Sequence, residues 1–470
     1  MSALSRKRLS ALGALGIALG LAGAFTGYRA NAQDIAITNA TVATGDGSEP
    51  IQGATVVVRG GRIIAAGPGV PVPAGVQVVD GTGKWVTPGL FAALTGLGLS
   101  DADGIDESDD QSARGSPFGA ALDVSPALNP LSQHVQVARG GGITRASVAT
   151  RPAGSIFGGQ GAIVDLGADP RMVVRPRAFQ LVDLGETGAR IAGGSRVAAH
   201  ALLRNALREA RQFGNEGRLT ARGRNGEMET GDDIPVDLRL VDNPAERGED
   251  VLLTRFDAAA LVPVVNGTQA LYVAVERAAD IRAVLALKNE FPRLRLVLVG
   301  ASEGWSAARD IAAAGVPVIA QAMNDLPSSF EQLAATQSNV GRMVRAGVKV
   351  AIGGLAGTTG DQPKNLAQFA GNMVALTKVP GATGLSWGEA FAAISSIPAE
   401  ISGQGGRAGV LKTGAAGDLV LWDGDPLELT SAPERVFIDG VEQPRNDHQT
   451  GLRDRYRDLD ERDLPKAYDR

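Results

Sequence analysis

A chain of 470 residues, 44% apolar and 21% charged, is long enough to bury a large core and too apolar for wholesale disorder. Its formal net charge of −5 disfavours nucleic acid as a partner, and the absence of cysteine excludes disulfides, thiolate metal sites and a cysteine nucleophile. Length alone suggests about three domains, but a β/α barrel uses about 250 residues by itself, so one large and one small domain fit equally well.

Residues 1–32 read as a secretory signal peptide. Arg6, Lys7 and Arg8 form a basic start, Leu9 to Phe25 an apolar stretch, and Ala30-Asn31-Ala32 a small-residue cleavage site. Removing the leader makes the chain more acidic still. No later segment approaches the ~18 unbroken apolar residues of a membrane span. The expectation is an exported, periplasmic protein with no membrane contact after cleavage.

From Ile35 to Val42, Ala54 to Arg59, Arg62 to Ala66 and Val76 to Val79, short alternating runs separated by Gly, Pro and Asp predict antiparallel strands. Asp418 to Trp422 and Arg435 to Ile438 repeat that pattern at the far end. Neither group has enough strands for a stable sheet, so 33–87 and 405–444 are expected to join as one composite β-sandwich domain.

Between them, 88–404 alternates apolar strands with helices. Leu271 to Glu276, Leu294 to Gly300, Val316 to Gln321 and Val348 to Gly354 are the strands; Ala279 to Phe291, Ser302 to Ala314 and Phe330 to Ala346 are the helices. Such repeats imply an α/β fold with a parallel sheet, here a distorted (β/α)8 TIM-type barrel. The competing doubly wound sheet lacks a Gly-x-Gly-x-x-Gly turn after any strand. The stretch from Asp101 to Arg114 holds six acidic residues and reads as a solvated loop, its glycine misplaced for a calcium loop. The segment 445–470 reads as a charged surface tail.

Several motifs together carry a family resemblance. Gln52-Gly53-Ala54-Thr55 with Gly61-Arg62-Ile63, Asp80-Gly-Thr-Gly-Lys84 and Thr87-Pro88-Gly89-Leu90 resemble the opening of amidohydrolases. Pro398-Ala399-Glu400, Gly409 to Gly414, Asp418 to Trp422 and Asp423-Gly-Asp-Pro-Leu427 are similar to their closing strands. Gly142-Ile-Thr144, Gly158-Gly159-Gln160 and Glu276 to Ile281 look like the imidazolonepropionase-related branch of exported amidohydrolases.

The resemblance implies hydrolysis of non-peptide carbon–nitrogen bonds by one or two divalent metals, held by histidines and carboxylates at barrel strand ends. Followed residue by residue, the first histidine pair falls on Leu94 and Gly96, and the last aspartate on Leu355. The intermediate strands end at Glu276 and Gly300. Only His134, His200 and His448 exist, and none is spaced as a ligand pair. Bringing the pKa of water from 15.7 to about 7 is worth roughly 12 kcal/mol, whereas a lone general base supplies roughly 3 to 5. The implied protein is therefore metal-free, with no cofactor. It would take a small-molecule ligand at the barrel mouth, or form a hetero-oligomer with an active relative.

The alternative is a working hydrolase using carboxylates, with Glu276, Asp280 and Asp165 as candidates, or an atypical metal such as zinc. A purely structural envelope component is a third class. Gly158, Gly159 and Gln160 read either as a pocket-lining turn or as a tight loop between strands. Arg277 is a ligand-binding candidate and equally an ion-pair partner of Asp280. Gly300-Ala-Ser302-Glu-Gly304 matches Gly-x-Ser-x-Gly between a strand and a helix, but an α/β-hydrolase triad needs a later histidine and only His448 follows.

Overall fold

The computed structural model describes residues 32–102, 104–220, 252–355, 362–445 and 448–457, so the expected leader, apart from Ala32, and most of the expected tail lie outside the described residues. Five strands open the chain: β1 Ile35–Val42, β2 Ile51–Arg59, β3 Arg62–Gly67, β4 Gln77–Asp80 and β5 Trp85–Pro88. Eight follow: β6 Leu90–Thr95, β7 Ile143–Val148, β8 Phe157–Asp165, β9 Val173–Asp183, β10 Ala270–Val275, β11 Arg295–Gly300, β12 Val318–Ala320 and β13 Val350–Ile352. Three close the chain: β14 Leu419–Trp422, β15 Pro433–Ile438 and β16 Val441–Glu442.

The two terminal groups join edge to edge in a single sheet, ordered β16-β15-β14-β5-β1-β2-β3. They meet because β1 divides one edge between two partners, Ile35 to Thr38 pairing with β4 and Thr41–Val42 with β5. Strand β14 then lies antiparallel on β5, Leu419 opposite Pro88 and Trp422 opposite Trp85. Period-two alternation decides its two faces. Leu419 and Leu421 enter a core with Ile35, Ile37, Val56, Val58 and Phe437, whereas Val420 and Trp422 pack on the barrel.

The barrel sheet runs β13-β12-β11-β10-β9-β8-β7-β6. All its ladders are parallel except those of β8, which runs antiparallel to both β7 and β9. Between β13 and β6 the ring is bridged by two residues: Ile352 N–H donates to Ala393 O at 2.8 Å, and Phe91 N–H to Ile394 O at 3.0 Å. Inside, Phe91, Leu94, Ile163, Leu181, Val299 and Ile319 form a packed apolar core with Phe179 stacked on Tyr272, ring centroids 4.1 Å apart.

The barrel and terminal sheet are joined through charge. Arg145 on β7 donates to Asp418 at 2.6 Å and to Asp439 at 2.8 Å, the Asp418 carboxylate being only 1% exposed. All three expected helices are broken, Ala279 to Phe291 into Ala278–Leu285 and Leu287–Glu290. The span 330–346 is a 3-10 turn, Phe330–Gln332, and a helix, Asn339–Arg345. Ala334 is drawn out of a continuous helix because its N–H donates to Glu303 at 3.0 Å and its carbonyl accepts from Trp305 Nε1 at 2.8 Å. In 302–314 only Ala308–Ala314 is α-helical. Among the described residues no helix is long and apolar enough to cross a membrane.

Candidate functional site

The C-terminal ends of the parallel strands form the mouth where barrel enzymes place their chemistry. Glu276 stands just past β10. Its Oε2 accepts from the backbone N–H of Ser302 at 2.8 Å and from the Ser302 hydroxyl at 2.6 Å, while Asn324 Nδ2 donates to Ser302 Oγ at 3.0 Å. A Cβ on Gly300 would sit 2.1 Å from Glu276 Oε1, and Gly300 has φ +88°, so space and backbone both demand glycine there. Burial pushes the Glu276 carboxyl up to about 7; the Ser302 hydrogen bonds oppose that, and the charges of Glu331 and Asp183 add to it.

The other mouth carboxylates are held by backbone amides or cations. Asp183, at the end of β9, accepts from Gly185 N at 2.8 Å and Gly188 N at 3.0 Å, and burial raises its pKa. Glu303 accepts from Ala278 N and Ala334 N, both at 3.0 Å. Glu331 takes Glu186 N at 2.8 Å and Arg196 at 3.0 Å. Asp280 lies between Arg196 at 3.0 Å and Arg277 at 2.9 Å. Of the sequence candidates, Glu276, Arg277 and Asp280 therefore do gather near the mouth, with Asp280 and Arg277 ion-paired to each other. Asp183, Glu303, Glu331 and Asn324 were not anticipated. Asp183 was findable as the acid ending the run Phe179 to Val182, apolar but for Gln180; the others sit in loops without a local signature.

Asp165 is elsewhere. It pairs with Arg145 in the β7–β8 ladder, near the start of β7 and thus the opposite end of the barrel from Glu276. Burial raises its pKa to about 6 against the pull of Arg145. The expected turn at Gly158, Gly159 and Gln160 is also corrected: these residues lie within β8. Their lack of side chains lets neighbours close in, since a Cβ at Gly158 would meet Thr150 O at 2.7 Å and one at Gly159 would meet Leu122 at 2.7 Å. Gln160 N–H donates to Leu122 O at 2.7 Å, and its buried side chain faces Gln269 rather than an open pocket.

The donor set does not fit a divalent metal. Leu94 is fully buried in the barrel's apolar cluster and Leu355 packs against the same cluster. The space a side chain at Gly96 would occupy holds the Gln111 amide, whose Oε1 lies 2.5 Å from the Cβ position. Among the described residues no group of three His, Asp or Glu is arranged to hold a metal. His134 is on the helix Gln133–Gly140 and His200 on Arg196–Thr220, where burial lowers its pKa and favours the neutral ring. The His448 side chain lies outside the described residues.

A cavity of about 490 Å³ opens at the far end of the barrel, lined by Lys288, Arg295, Lys349 and Glu400. Helix C-termini gather there. Lys288 donates to the Ala314 carbonyl at 3.2 Å at a helix end and Lys349 pairs with the Glu400 carboxylate, so both cations are already engaged within the chain.

Residues 236–442 match the model of a family described as the amidohydrolase family. The crystal structure of an amidohydrolase from Thermotoga maritima superposes with a TM-score of 0.74 at 22% identity, covering 88% of this chain and 100% of that one. An uncharacterized protein superposes with a TM-score of 0.50 at 18% identity, covering 88% and 100%. These likenesses concern the fold. Amidohydrolase tasK of Hapsidospora irregularis is 43% identical over 60 residues, which is 13% of this chain and 6% of that protein.

Proposed function

We propose that the chain is a member of the amidohydrolase superfamily, and a metal-free one that no longer performs the family's metal-dependent hydrolysis of carbon–nitrogen bonds. It binds a small polar ligand at the barrel mouth or accompanies an active relative as a non-catalytic partner, after export through its leader to the periplasm. The observation that carries this reading is the convergence of Leu94 and Leu355 in one apolar cluster, at the positions the resemblance aligns with metal ligands. A divalent ion there would lose its hydration shell to aliphatic carbon with nothing to replace it.

At the mouth, Asp183, Glu303 and Glu331, which could have served as metal ligands, instead hold loops in place through backbone amides. Glu276 Oε1 is the atom nearest to a recognition group, lying beside Gly300 while Oε2 takes both Ser302 hydrogen bonds. It would donate to a ligand carbonyl when protonated and accept from an amide when ionised.

Elemental analysis of the protein, purified from its own source without chelators, tests the reading. The expected result is metal well below one equivalent. Near-stoichiometric zinc, iron or manganese would overturn it.

A further inference from the structure

We propose that Ser302 is a nucleophile for small acyl groups, with Glu276 as its base and Asn324 as hydrogen-bond donor to the developing oxyanion, in an ester-cleaving reaction that needs no metal. This goes beyond the metal-free reading above and does not depend on it.

Three observations converge on these side chains. The first is the relay itself: Asn324 Nδ2 donates to Ser302 Oγ at 3.0 Å, and Oγ donates to Glu276 Oε2 at 2.6 Å. The hydroxyl proton is thus already directed at the carboxylate, and Asn324 holds Oγ from another side. The second is backbone strain. Ala301 has φ +47° and Met323 has φ +64°, left-handed conformations that are unfavourable for residues with a side chain, and each directly precedes a member of the relay. The third is placement. Ser302 follows β11 at the barrel mouth within Gly-x-Ser-x-Gly, so the strand end presents it where barrel enzymes react. The neighbouring carboxylates Asp183 and Glu303 accept only backbone amides in the contacts described above. Glu276 differs in taking a side-chain hydroxyl that is itself bonded to an amide.

The chemistry balances with substrate and water alone. Oγ attacks the ester carbonyl carbon as its proton passes to Glu276, and the C–O bond to the leaving alcohol breaks as Glu276 returns that proton to it. The acyl-serine is then cleaved by water: Glu276 accepts the water's proton and returns it to Oγ as the acyl–Oγ bond breaks, and the water's oxygen stays with the released acid. Asn324 Nδ2, already 3.0 Å from Oγ, is within reach of the oxyanion formed at the adjacent carbon. Ser302 is only 5% exposed, whereas Glu276 and Asn324 are partly open. The accessible acyl groups are therefore small, of acetyl size.

The full chain, treated with a chelator, is incubated with p-nitrophenyl acetate and separately with a small fluorophosphonate, and peptides are analysed by mass spectrometry. The expected result is one adduct on Ser302, absent in S302A, with labelling slowed about 100-fold or more in E276Q. Slower labelling in N324A is expected too. No adduct on wild-type Ser302, an adduct at another residue alone, or an unchanged rate in E276Q would overturn the proposal. Because the chain has no cysteine, S302C gives a separate reading of access: alkylation of its single thiol in the folded protein is expected, and complete protection would count against a nucleophile here. Failure of these labelling results would leave the metal analysis, and the reading it tests, untouched.

Discussion

Replacing Glu276 by Gln measures what the mouth gives up to keep an ionisable group there. Raising a carboxyl from 4.5 to about 7 corresponds to about 3 kcal/mol against the charged form, reduced to about 2 because Glu276 is partly open to water. The folded state holds the proton more tightly than the unfolded one. The stability associated with Glu276 is therefore complete below about 4.5, falls as pH rises, and is lost above about 7. Gln keeps a carbonyl oxygen to accept from the Ser302 N–H and hydroxyl, and it never ionises. Urea unfolding of E276Q and wild type at pH 5 and pH 8 should show the variant's advantage growing by about 2 kcal/mol between them. A stability difference equal at both pH values would refute the reasoning, because it would mean that Glu276 ionises in the fold as freely as in the unfolded chain.

R145M should destabilise by about 3–5 kcal/mol in denaturant unfolding, because it leaves the buried Asp418 carboxylate unpaired; adding D418N should restore part of that loss. G161A should cost about 1–3 kcal/mol by the same assay, since its Cβ would lie 2.2 Å from the Phe179 ring. A neutral G161A would show that the Phe179–Tyr272 stack can shift, contrary to a close-packed barrel interior.

Much of the scaffold was readable because the strands obey local rules. Ile35–Val42 carries Ile35, Ile37, Ala40 and Val42 into one core, and the apolar runs at Ala270–Val275 and Arg295–Gly300 are flanked by helical stretches, so their positions follow from the local pattern of apolar residues. Strand β8 escaped that reading. Gly158, Gly159 and Gly161 look like a turn, and become a strand because the Phe179 ring and the Leu122 backbone fill the space their side chains would have taken. The helix expected over 330–346 failed for a similar reason, since Glu303 and Trp305 claim the backbone of Ala334 from outside.

The sequence by itself determined the barrel with its joined terminal sheet, and the shortage of imidazoles: periodicity is a local property, and a count of three histidines does not depend on folding. Only the tertiary structure decided that Asp165 faces Arg145 far from Glu276, that Leu94 and Leu355 share one apolar cluster, and that Ser302 lies between Glu276 and Asn324. Those relations join residues from different strand ends. They are set by how the barrel closes and which way each strand runs, which local sequence patterns do not specify.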